Sequence, residues 1–315
     1  VVLDAQVASL NINGNIDAGG TVQLNGTTAI NLGADVTTTA GNIEFYDAVV
    51  VTADSAVDTS VGGGNIIFTG LVEGLAANAQ SLTLTAGAGN VDMQQAVGGV
   101  TSLANFEIVS ATQADLASIT ADDIAVTATL INLNGTDYIA ENGGVTLDGA
   151  VVLAGSVSID SSLADGDILI TGAIDGTTAD TEALTLAAGT GAVTLQGAVG
   201  GTTPLASLDI TGGAVTVEQT VDVGGLMEVT NSALFTTLST ADIVADGGFT
   251  QNGTGSNSLG ADITTTDSNI SFDTAVVLTD AVTLDTGAGA GDITFASTID
   301  GTTADTEALT LAAGT

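Results

Sequence analysis

The sequence predicts an all-β protein wound as a β-solenoid, with coils of about 20–25 residues stacked on one another. Three observations lead there. Short strands alternate apolar and polar residues, blocks of sequence recur in a fixed order, and the core must be filled almost without large aromatics. Helical periodicity is largely missing.

The strands come first. A unit of the form (Gly/Asp/Asn)-Ile/Val-x-Phe/Leu/Ile recurs, beginning at Asn42, Asn65, Asn90, Gly144, Asp167, Ala192, Asn269 and Asp292. Neighbouring copies such as Asn42 and Asn65, or Asn65 and Asn90, lie 23 to 25 residues apart. Second and third strands sit between them, for example Val282-Thr283-Leu284 and Leu309-Thr310-Leu311. Leu82-Thr83-Leu84-Thr85, Val157-Ser158-Ile159-Asp160 and Val215-Thr216-Val217-Glu218 alternate strictly. Period two with β-branched residues marks half-buried strands. Gly, Asn-Gly, Asp-Gly and Gly-Gly punctuate them as turns.

The repeats set the organisation. Ile174 to Thr190 reads IDGTTADTEALTLAAGT, and Ile299 to Thr315 is identical. Leu32 to Val50 (LGADVTTTAGNIEFYDAVV) is echoed by Leu259 to Val277 (LGADITTTDSNISFDTAVV). The block from Val1 to Val7 matches those from Val91 to Val97 and from Val193 to Val199. These edges give three modules: 1–90, 91–192 and 193–315. The chain starts and stops in nearly the same phase, as a stretch of one continuous solenoid cut from a longer tandem array would.

Tandem β-sandwich domains of about 100 residues are the alternative architecture. They account for the module length. The solenoid accounts for the shorter subperiod, the variable module length and the seven Phe, two Tyr and no Trp. A narrow interior takes stacked Val, Ile, Leu and Ala, and one added coil leaves the others undisturbed.

Composition excludes many functions. The 315 residues include 37 Asp and Glu but no Lys, Arg, His or Cys, a net charge of −37. Without cations the chain cannot neutralise phosphates, which excludes nucleic acid as a partner. Without His, Cys or Lys the common general bases and nucleophiles are missing. Carboxylate pairs alone would serve a glycosidase, but an acidic-polysaccharide lyase would need cations to hold its substrate. The chain is read as a non-enzyme. No apolar run reaches the length of a membrane-spanning helix, and aromatic girdles for a membrane barrel are lacking, so no membrane insertion is expected. Apolar residues make up 44%, enough for a core.

Blocks such as GDITFASTIDG, ALTLAAGTGAVTLQGAVGG, PLASLDITG and LGADITTT give the chain a further likeness. Along essentially its whole length it resembles the repeats of very large bacterial surface proteins of the β-strand-repeat, filamentous-haemagglutinin-like and giant adhesin types. The resemblance implies a right-handed parallel β-helix, export to the cell surface or medium, and a role in adhesion or in an extracellular fibre. It carries no catalytic residues.

Candidate sites follow from the oxygen-rich composition. Calcium favours carboxylates on tight Gly turns. Asp165, Asp167, Asp175, Asp246 and Asp300 are the candidate calcium ligands, although solvated turn carboxylates explain the same residues. No cofactor is required. Thr37-Thr38-Thr39 and Thr264-Thr265-Thr266 read as strand residues on the solvent face, the alternative being a flat ice- or glycan-binding ladder. Asn25-Gly26-Thr27, Asn134-Gly135-Thr136 and Asn252-Gly253-Thr254 read as turns, or as glycan acceptors.

The expectation from sequence is a structural segment of an extracellular fibre or cell-surface stalk. Its partners would be copies of itself, end to end, or the continuing chain, together with divalent cations. A calcium-dependent adhesin that binds glycans or another cell, and a surface-layer lattice protein, are the alternatives.

Overall fold

The computed structural model describes residues 1–6, 8–303 and 305–314. Among them there is no helix, and the strand pairings that register the coils are parallel. No helix is therefore long and apolar enough to cross a membrane. The chain is a parallel β-solenoid, as the periodicity predicts. Two compact units are resolved, Val1–Val151 and Val152–Thr315, and the division falls inside the module 91–192.

In the first unit each coil contributes strands to three faces. Face A places Val22, Ile43, Ile66, Val91, Ala114 and Ile131 one above the next. Face B does the same with Ile30, Val49, Val72, Val97, Ile119 and Tyr138. Face C aligns Val36, Val57, Leu84, Ile108 and Val126. Nearly all of these side chains are fully buried. Most strands are three or four residues long with the burial pattern buried, half-buried, buried. Leu103–Leu116 and Ile119–Leu133 are longer and serve more than one face, with a register shift between Ile108 and Ala111.

The second unit is built in the same way on faces D, E and F. Face D stacks Ile168, Val193, Val215, Phe235, Asn257, Val276 and Ile299. Face E stacks Ile174, Val199, Val221, Ile243, Ile263 and Leu284. Face F stacks Val157, Leu184, Leu208, Met227, Phe249, Ile270 and Ile293. The identical segments beginning at Ile174 and Ile299 both lie in this unit but not on the same faces. Ile174 pairs on face E and Leu184 on face F, whereas Ile299 pairs on face D and Leu309 on face E. The sequence repeat is thus not a whole number of coils. One segment suits different faces because its Ile and Leu at alternate positions pair with the apolar residues that line each of them.

Two expectations are corrected. The core is not purely aliphatic, because the winding brings the few aromatics together, Phe45 with Phe68 and Phe272 with Phe295 in register, and Phe235 and Phe249 from different faces. Phe45 lies on Phe68 with centroids 4.2 Å apart. In the second unit Phe235, Phe249, Phe272 and Phe295 follow one another at 6.1, 5.2 and 5.4 Å. The threonine tracts are not wholly on the solvent face. Strand alternation turns Thr38 and Thr265 inward, where the Thr38 hydroxyl donates to the carbonyls of Gly20 (2.9 Å) and Ala40 (3.0 Å). The interior also holds an amide cluster at Asn231, Gln251 and Asn257, all fully buried. Gln251 donates to Asn231 Oδ1 at 2.7 Å, and Asn257 donates to Gln251 Oε1 at 3.2 Å.

Glycine has a positional role where coils meet at a corner. A Cβ on Gly64 would stand 1.9 Å from the carbonyl oxygen of Gly41, and one on Gly89 would stand 2.1 Å from that of Gly64. Gly64→Ala is therefore expected to destabilise the protein by at least about 2 kcal/mol, since backbone and not a flexible side chain must move. Chemical denaturation of the variant checks this.

Candidate functional surface

The side chains at the corners connect one coil to the next. Asn42 Oδ1 accepts from the backbone N–H of Asn65 at 3.0 Å, and Asn65 Oδ1 accepts from that of Asn90 at 2.9 Å. Asp123 does the same for Gly144 (2.9 Å), and Asn269 for Asp292 (2.9 Å). Each corner thereby satisfies an N–H that the parallel ladder leaves outside its own bonds. The sequence marks Asn42, Asn65 and Asn269 as recurring strand starts. It does not reveal that their side chains reach the following coil, because that contact spans 21 to 25 residues.

The five aspartates singled out as calcium ligands stand in this frame. Asp165 Oδ1 accepts from Thr190 N at 2.7 Å, and Asp167 Oδ1 from Ala192 N at 2.7 Å. Asp175 Oδ1 accepts from Thr202 N and Thr203 N at 2.8 and 3.0 Å, and Asp246 Oδ1 from the Thr266 hydroxyl at 2.5 Å. Asp300 is exposed on face D beside Val277. Asp165 and Asp167 share one turn, Asp175 lies on face E, and Asp246 follows the face E strand Ile243–Ala245. Among the described residues no group of three or more carboxylates is placed to hold a metal ion.

Local pairing and crowding divide the carboxylates into two kinds. The hydroxyl of Thr177, 2.6 Å from Glu182 Oε1, holds the Glu182 carboxyl below its ordinary range. Glu307 repeats the loop, with the Thr302 hydroxyl donating to its carboxylate and the same effect. The two copies keep this local structure although they sit on different faces. Glu44 is held low chiefly by the Tyr46 hydroxyl and then by Gln23. Asp209 and Asp222 are raised, first by desolvation. The adjacent Glu228 adds to this at Asp209, and Asp246 and Asp180 add to it at Asp222. With no Lys or Arg present, like-charge crowding has no side-chain cation to offset it.

The Asn-Gly-Thr asparagines, Asn25, Asn134 and Asn252, are all exposed. Asn252 is tied down, its amide donating to Glu228 and its Oδ1 accepting from the Thr230 hydroxyl at 2.6 Å.

The geometry therefore defines a β-solenoid repeat protein whose polar side chains mostly serve its own coils. No protein-family model, no curated protein and no solved structure matches the chain.

Proposed function

We propose that this chain is a structural segment of an extracellular fibre or cell-surface stalk, without catalytic activity or a required cofactor. The observation that carries the reading is the seating of one 17-residue sequence on different faces of the same unit. Coils that accept the same segment in different places are interchangeable building elements, suited to length and not to a singular site. The ladder of backbone bonds and the corner Asn and Asp side chains support the same reading, since both connect each coil to its neighbour. The acidic faces repel their like and attract divalent counter-ions.

Negative-stain electron microscopy of the native material, with and without EDTA, tests the proposal. Thin unbranched threads are expected. Threads that unbundle in EDTA would add divalent cations to the assembly. Two-dimensional arrays would replace the fibre with a surface lattice, and isolated short rods would refute it.

A further inference from the structure

The outer surfaces of the second unit are unequal in charge. On face F the central outward row runs Thr185, Asp209, Glu228, Thr250. Face E presents Asp175 and Asp222, with Asp285 beside Thr264. On face D the corresponding row runs Leu169, Thr194, Thr216, Thr236, Ser258 and Val277, six successive coils without a charge. Leu234 and Leu238, both 43% exposed, flank Thr236. Ala192, Ala214, Ser256 and Thr279 extend the strip, Glu218 lies within it, and the exposed Asp167 beside Ala192 and Asp300 beside Val277 bound its two ends. On a chain of net charge −37 this is a flat band of methyl and hydroxyl groups.

We propose that this strip is where a second copy of the chain docks side by side, strip to strip about a two-fold axis. Charge selects both the partner and the place. Every copy is a polyanion without a cation, so no face can pair with a complementary one, and contact through face E or F would press carboxylates together. Apposed D faces bury the leucines and threonine methyls and keep the acidic faces turned away. The strip is about 29 Å long at ~4.8 Å per coil and about 14 Å wide, hence roughly 400 Å². A stable dimer buries about 800 Å² per partner. The pairing is therefore weak, and it strengthens as salt shortens the screening length from about 10 Å at 0.1 M to about 3 Å at 1 M. This inference goes beyond the fibre reading and does not depend on it.

Sedimentation velocity of the whole chain in 0.1 M and 1 M NaCl tests it. Concentration-dependent dimers are expected at 1 M and monomers at 0.1 M. Thr216→Glu combined with Thr236→Glu is expected to weaken dimerisation at least tenfold with the circular dichroism unchanged. Thr185→Glu combined with Thr250→Glu, on face F, serves as the matched control and is expected to leave dimerisation as it is. Three results would overturn the proposal: monomers at 1 M salt at every concentration, equal dimerisation of the face D variant, or retention on a neutral polysaccharide without self-association.

Discussion

Acidification from pH 7 toward pH 5 is expected to raise the melting temperature, and so is added salt at pH 7. The sign follows from the two kinds of carboxylate. Asp209 and Asp222 are raised by desolvation and by neighbouring carboxylates. A raised carboxylate binds its proton more readily folded than unfolded, so it costs stability at neutral pH and that cost is relieved as pH falls through its folded value. Glu44, Glu182 and Glu307 are lowered by hydroxyl and amide donors. Their contribution is present above the ordinary carboxylate range and disappears only when pH falls through their folded values, below that range. Stability should therefore rise first and decline only in strong acid. The net charge of −37, with no Lys, Arg or His, adds a general self-repulsion that protonation and salt both reduce. Each kcal/mol of relieved repulsion raises the melting temperature by about 2–4 °C in a domain of this size. Differential scanning calorimetry against pH and NaCl measures it. A monotonic fall between pH 7 and pH 5 would show that hydrogen-bonded carboxylates outweigh the crowded ones.

Phe249→Ala is expected to be the most damaging single truncation in the second unit. Its ring is fully buried between Phe235 and Phe272, with centroids 6.1 and 5.2 Å away. The coils above and below are fixed by their own backbone ladders, so the space cannot close. A cost of about 3–5 kcal/mol follows from lost transfer energy and the cavity left behind. Leu234→Ala, on the exposed strip, should stay within about 0.5 kcal/mol. Urea denaturation of the two variants separates these outcomes, and similar values for both would contradict a packing role for the aromatic cluster.

Much of the fold is legible in the sequence because a strand's burial pattern is local. Leu82–Thr85 and Val157–Asp160 alternate in sequence and alternate in burial. The strand starts at Asn42, Asn65 and Asn90 fall one coil apart, as their spacing suggests. The threonine tracts were legible only in part. Thr propensity gives the strand, but the register of the neighbouring coils decides that Thr38 points inward. Of the carboxylates, the spacing marks Asp165 and Asp167 as turn residues, yet what they bind is a backbone N–H in the following coil.

The sequence by itself determined that the chain is all-β and coiled, that its interior is narrow, and that it meets other molecules without a single side-chain cation. These are matters of composition and of period two, which every residue carries locally. Only the tertiary structure decided which face each segment occupies. Identical residues at Ile174 and Ile299 enter different faces because the position of a coil depends on all the residues wound before it. The tertiary structure likewise brought phenylalanines of different coils together and left one outward row of the second unit, Leu169 to Val277, without charge. Both depend on which residues of successive coils are brought together, a relation that extends beyond any local window.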